Sequence, residues 1–204
     1  MRKIDKVFYN RDAVTVAKEL LGKMIVFKDA QGLYKAKIVE TEAYMGITDK
    51  AAHSYGGRRT KRVEVMYGEP GHAYVYMIYG IHFCLNVVTE ARDNPQAVLI
   101  RGIEPIEGIE QMAQNRYGKK YENLTSQQKK NMVNGPGKLC RALGIDRRQN
   151  GMDLCGDTLY IVDSDISDPF SIASAKRIGI DYAEEARDYL WRFYIDGNAN
   201  VSVK

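Results

Sequence analysis

Cysteine is scarce: Cys84, Cys140 and Cys155 are the only three in 204 residues, and no CxxC pair occurs. An odd, widely spaced set argues against a disulfide framework and predicts a reducing compartment, the cytoplasm. Histidine is equally sparse, at His53, His72 and His82, with no HExxH. The ligand spacing of a metallohydrolase is therefore missing, and neither a metal nor another cofactor is expected. The segment GPGKL lacks the Gly at Met132 and the Ser or Thr at Leu139 that a phosphate-cradling P-loop needs. The N-terminal MRKIDKVFYN holds no apolar core of a secretory signal. The most apolar stretch, Ala73–Val88, is short for a membrane span and contains His82 and Asn86, so no membrane partner is expected. Repeats, low-complexity tracts and linkers are missing too, which predicts a single domain over residues 1–204 with a substantial core.

Tyrosine, by contrast, is abundant: 14 against five Phe and one Trp. That excess points either to aromatic faces that also meet water, as at a binding surface, or to a tyrosine-rich core edge. Net charge is +4. Basic residues gather at Arg58, Arg59, Lys61 and Arg62, and again between Lys119 and Arg148, while acids gather at Asp163–Asp168 and Glu184–Asp188. The pattern is compatible with a polyanionic partner and also with plain solvated surface.

Asp12 can cap a helix running to Leu21, with Gly22 as its stop. Met24–Phe27 and Leu33–Glu42 read as strands around the turn Asp29–Gly32, and Thr48–His53 as a short helix. Ala73–Val88 reads as two strands meeting near Tyr79-Gly80, and Ala97–Ile103 adds another. Pro105 fits the first turn of a helix reaching Arg116, and Pro136 opens one that closes at Gly144. Tyr117–Asn134 reads as a polar, partly helical excursion. Strands at Thr158–Val162 and Arg192–Ile195 flank a helix near Ala183–Tyr189. Strands crowd the first half without regular alternation with helices, which predicts an α+β fold: a largely antiparallel sheet flanked by helices, with a protruding β-hairpin.

Three features of this pattern carry chemistry. Alternation along Leu33–Glu42 puts Tyr34, Ala36, Ile38, Glu40 and Glu42 on one face, so an apolar face ends in two carboxylates. Burial and mutual repulsion would raise a carboxyl pKa there and suit it to accept a proton; a strand end reaching solvent is the alternative. Tyr44, His53, Tyr74 and Tyr76 supply flat rings nearby, and Asn86 places an amide among apolar neighbours, for selectivity or for a cross-strand bond. Tyr79 at the hairpin tip is a candidate wedge between stacked bases. Together with the Arg-rich loop Gly56–Lys61, these are the parts needed to extrude a nucleotide, sandwich its base and cut a bond on it.

The blocks VETEAY (39–44), AAHSYGGRRT (51–60), PGHAYVYMIYGIHFCLN (70–86), LIRGIEP (99–105), GPGKLCRALGI (135–145) and RIGI (177–180) resemble, in order and over nearly the whole chain, the alkyladenine (3-methyladenine) DNA glycosylase family of mammalian type with bacterial members. The resemblance implies a monofunctional, monomeric enzyme that flips damaged purines out of double-stranded DNA and hydrolyses the N-glycosidic bond. It implies Glu42 as the base that activates water, Arg101 as its helper, and Tyr44, His53 and Tyr76 as the stacking pocket. It also implies Asn86 as the filter against guanine, Tyr79 as the intercalating residue, and Arg58, Thr60 and Arg62 as backbone contacts. His82 departs from the pattern, standing beside the wedge where a tyrosine is familiar. A binding module without catalysis would need the tyrosines and the basic loop but not Glu42. A lysine-nucleophile glycosylase would form a Schiff base instead.

Overall fold

The computed structural model describes residues 2–164 and 169–203. Its helices are α1 (Lys6–Tyr9), α2 (Ala13–Leu20), α3 (Ile109–Tyr117), α4 (Ser126–Lys130) and α5 (Pro136–Leu143). Its strands are β1 (Met24–Asp29), β2 (Gly32–Tyr44), β3 (Ala73–Ile78), β4 (His82–Thr89), β5 (Gln96–Glu107), β6 (Leu159–Val162), β7 (Ile172–Ala175) and β8 (Arg192–Ile195). They form one sheet in the order β3-β4-β5-β2-β1-β6, with β8 branching from β2 and β7 pairing β8. Every strand pair among the described residues is antiparallel, as the α+β expectation requires. No helix among them is long and apolar enough to cross a membrane.

The sheet forks on β2. Its first half pairs β1 from Met24↔Lys37 to Asp29↔Gly32, its second half pairs β8 at Glu40–Glu42, and β5 runs along the other edge. At the fork Ile38 pairs Ile103 but Glu40 pairs Gly102, so Val39 is an extra residue on β2; Thr41 then pairs Ile100, so Arg101 is an extra residue on β5. These two bulges correct the expected alternation. Tyr34, Ala36 and Ile38 face the main core, but so do Val39 and Ala43, and the Thr41 hydroxyl donates to Ala17 O of α2 at 2.9 Å. A bulge shifts the period-two phase by one residue. Glu40 and Glu42 therefore point away from the face that Ala36 and Ile38 share.

The core lies between sheet and helices. α2 packs on β2 and β5, α5 on β4 and β5, and α3 on α5. Asp12 caps α2 by accepting from Thr15 N at 2.9 Å, and Pro136 opens α5 at its first turn, where a missing N–H costs nothing. Pro105 does not open a helix. It lies in β5 beside a register shift, and α3 begins at Ile109 after Gly108, whose φ of 79° and whose 2.7 Å from an added Cβ to Leu33 O admit only glycine. Thr48–His53 is not a helix either: Gly46–Thr48 is a 3₁₀ turn, and the Asp49 carboxylate then accepts from Met45 N and Ala51 N, holding the segment in successive turns. The predicted helix near Ala183–Tyr189 is 3₁₀ over Glu184–Asp188. The polar excursion is partly helical through α4, which carries a Thr125/Gln128 capping box. β7 has no counterpart in the sequence reading. Of the acidic run Asp163–Asp168, Asp163 pairs with Lys23, and residues 165–168 lie outside the described residues.

Candidate active site

β3 and β4 pair from Ala73↔Val87 to Ile78↔His82, leaving Tyr79-Gly80-Ile81 as the connecting loop. Tyr79 is 87% exposed and holds φ at 51°, a left-handed conformation that costs a non-glycine residue about 1–2 kcal/mol. Strain and exposure on a large ring coincide at the tip, where neither serves the core. His82, at the base of the loop, packs on Gly137 of α5.

Below the tip a cavity of about 290 Å³ opens, lined by Tyr44, His53, Tyr76, Asn86 and Arg101, with Tyr79 and Tyr182 at its rim. Alternation along β3 puts Tyr74 and Tyr76 on one side, their ring centroids 5.1 Å apart. His53 meets Tyr76 nearly edge-on at 4.6 Å and is fixed by a 2.9 Å hydrogen bond between Nδ1 and the Tyr74 hydroxyl. Burial, with the positive charges of Arg62 and Arg58, lowers the His53 pKa to about 4, so the imidazole is neutral at pH 7. Burial likewise raises the phenol of Tyr76. Asn86 Nδ2 donates to Tyr74 O at 3.0 Å, so the cross-strand bond is real, and the same amide forms part of the cavity wall.

Glu42 lies behind this wall with no exposed surface. Its Oε2 accepts from the Tyr44 hydroxyl at 2.8 Å, and its Oε1 accepts from Ile178 N at 2.8 Å and pairs with Arg101 Nη1 at 3.4 Å. Tyr44, Ile178 and Arg101 all line the cavity, so each donor to the carboxylate belongs to a residue of the cavity wall. Burial raises the Glu42 pKa, and Arg101 and the two hydrogen bonds only partly offset that rise. A buried carboxylate with a raised pKa beside a ring-lined cavity is suited to take a proton.

Arg58, Thr60 and Arg62 line a second cavity of about 340 Å³ that shares His53 and Tyr182 with the first. Arg62 also donates to Met77 O at 3.3 Å and stacks 5.2 Å from the Tyr76 ring centroid, which ties the basic loop to the hairpin. Arg59 is engaged by Glu64 and Asp93. Tyr182, Asp49 and Arg177 were not among the predicted site residues. The block RIGI was the one signal that reached the Arg177 segment.

The methylpurine-DNA glycosylase (MPG) family pattern matches residues 7–199. The chain is 58% identical over 204 residues, the full length of both chains, to a protein of Desulfitobacterium hafniense (strain Y51) named "Putative 3-methyladenine DNA glycosylase". It is 55% identical over 204 residues, again the full length of both, to a protein of the same name from Clostridium novyi (strain NT). A third of that name, from Clostridium acetobutylicum, is 58% identical over 201 residues, 98% of each chain. The chain belongs to the methylpurine-DNA glycosylase family and is a DNA-repair glycosylase.

Proposed function

We propose that the protein extrudes damaged purines, namely alkylated adenine, hypoxanthine and ethenoadenine, from duplex DNA and hydrolyses their N-glycosidic bonds with Glu42 as general base. The observation that carries this reading is the buried Glu42 carboxylate of raised pKa, set directly behind a cavity ringed by Tyr44, His53 and Tyr76. Departure of the base leaves a sugar of oxocarbenium character, and one carboxylate both deprotonates the incoming water and stabilises that charge. Arg101, bulged out of β5 toward both glutamates, holds the water and the carboxylate together. An alkylated base already carries positive charge and leaves without acid help. His53 is neutral, so it stacks on the base and bonds its edge rather than protonating it.

Tyr79 enters the stack and occupies the space of the extruded nucleotide, a step cheapest for a badly paired base. Arg58, Thr60 and Arg62 contact phosphates, so affinity falls as salt rises. The reading includes one monomeric copy per lesion and a cytoplasmic location, favoured by the sparse, unpaired cysteines. The test is release of free base from duplexes carrying hypoxanthine, ethenoadenine or an alkylated purine, with Glu42→Gln as control. Release by the parent, slowed at least about 100-fold in the variant, is expected; near-normal release by the variant removes Glu42 from the role.

A further inference from the structure

Arg177 is buried, follows β7 and belongs to no strand or helix, yet it joins four separate segments. Its guanidinium binds both Asp49 carboxylate oxygens, with Nη2 to Oδ1 at 2.8 Å. Nη1 also donates to Ala43 O at 2.9 Å and Nη2 to Ala186 O at 3.1 Å. The guanidinium carbon sits 4.8 Å from the Tyr44 ring centroid and 5.0 Å from that of Trp191. Asp49 in turn holds Met45 N and Ala51 N, the turns that lead to His53.

Both hydrogen bonds that Glu42 receives from outside Arg101 hang from this clasp. One comes from Ile178 N, the amide next along the chain from Arg177; the other comes from the hydroxyl of the Tyr44 ring on which Arg177 stacks. Stability alone is a poor account of the arrangement. A fully buried ion pair is weak evidence for stabilisation, and Arg177 Nε is buried with no hydrogen-bond partner among the described residues, a cost that an apolar side chain would avoid. What the clasp does supply is a planar fork of fixed direction, which a lysine does not reproduce.

We propose that Arg177 and Asp49 are the positioning pair for Glu42, fixing the Ile178 amide and the Tyr44 hydroxyl so that both carboxylate oxygens are held in one orientation toward the cavity. The inference rests on Glu42 being the base. The charged and titratable groups around Glu42 are Arg101 from β5, Glu40 and Tyr44 from β2, Tyr76 from β3, Cys84 from β4 and, opposite it in register on β8, Arg192, whose guanidinium is bound to Glu40. Arg177→Lys leaves all of these and the local net charge in the protein and weakens the two donors to the carboxylate; Asp49→Asn weakens the same donors but also leaves the guanidinium without its counter-charge. Those donors favour the charged form, so their loss raises the Glu42 pKa further.

The test is single-turnover base release against pH, in full-length Arg177→Lys and Asp49→Asn, on an ethenoadenine duplex. Folding is checked by near-UV circular dichroism and lesion binding is measured separately. Expected in both are release slowed about 100-fold with binding retained; Arg177→Lys, which keeps the local charge, should also displace the acid limb upward by about one pH unit. Folded variants with the parent's rate and an unmoved acid limb overturn the proposal, as does a loss that vanishes when rates are scaled to the folded fraction. If both variants fail to fold, Trp191→Leu removes one of the two rings against the guanidinium and leaves the Arg177–Asp49 pair in place. A smaller slowing with the same upward displacement supports the pair, and an unmoved limb overturns it. A parent protein that releases no base would sink the reading of Glu42 itself, a result distinct from all of these.

Discussion

Glu40 and Glu42 stand two residues apart on β2, are both fully buried and both touch Arg101, yet their surroundings differ. Glu40 accepts from Arg192 Nη1 at 2.9 Å, from Ser202 N at 2.7 Å, from Ser202 Oγ at 2.9 Å and from Arg101 Nε at 3.4 Å. Two arginines and the C-terminal segment enclose it. Glu42 has a share of one arginine, one amide and one phenol, and these donors form the wall of the cavity. Burial alone does not make a base: the same residue becomes a structural anchor or a candidate catalyst according to how many donors saturate it and whether they open on a cavity.

The largest separation is expected from isosteric amides. Glu42→Gln should slow base release by about 10²–10⁴-fold while lesion binding persists. Its effect on stability has the opposite sign to the usual carboxylate case. A group whose folded pKa is raised contributes stability below its unfolded pKa and loses it as pH rises through the folded value. Removing the ionisable group therefore leaves the neutral-pH melting temperature unchanged or higher. A large drop in melting temperature would show that Glu42 is an anchor like Glu40.

Glu40→Gln reverses the outcome. It leaves Arg192 and part of Arg101 buried without a counter-charge, which costs about 3–5 kcal/mol of stability, read by denaturant unfolding. The folded fraction should still release base. Removing the Glu40 charge, which raises the Glu42 pKa, should also move the acid limb of the rate downward. An unmoved limb would show that the two carboxylates are electrically independent, and an upward one that the arginines freed by the loss of Glu40 do not turn to Glu42.

The comparison also marks what was legible in the sequence. The hairpin, Tyr74, Tyr76 and Asn86 were visible because they lie within one local stretch whose alternation survives folding. The shared face assigned to Ile38, Glu40 and Glu42 was not correct, since the phase is reset by bulges at Val39 and Arg101 that depend on pairing with β5 and β8. The partners that distinguish the two glutamates were hidden for a similar reason. Arg192 and Ser202 lie 152 and 162 residues from Glu40, and Arg177 lies 128 from Asp49. Local pattern carries no information about such contacts. Only the block RIGI, read by resemblance, reached one of them.

Tyr79→Ser is the converse of Glu42→Gln: it should weaken lesion capture by about 1–3 kcal/mol while leaving the rate from the captured state nearly intact. The strained φ of Tyr79 adds a second expectation, a small gain in stability for Tyr79→Gly, which occupies that region freely. Unchanged capture by the serine variant would make the exposed ring a surface feature and leave extrusion to another residue.

The smallest effect tests selectivity, which neither carboxylate sets. The Asn86 amide is held by its bond to Tyr74 O, and under the proposed reading it is what a purine bearing a 2-amino group would meet. Asn86→Ser removes that obstruction and leaves a hydroxyl able to accept from the amino group. Removing an obstruction of this size relaxes discrimination by about 10–200-fold, far less than the loss from Glu42→Gln. The measurement is the ratio of single-turnover release from hypoxanthine and from mismatched guanine. The numerator should hold while guanine release rises from background, because the rings and Glu42 are untouched. Guanine that stays excluded would shift the filter to another part of the cavity wall, with Leu99 and Met66 the next side chains to truncate.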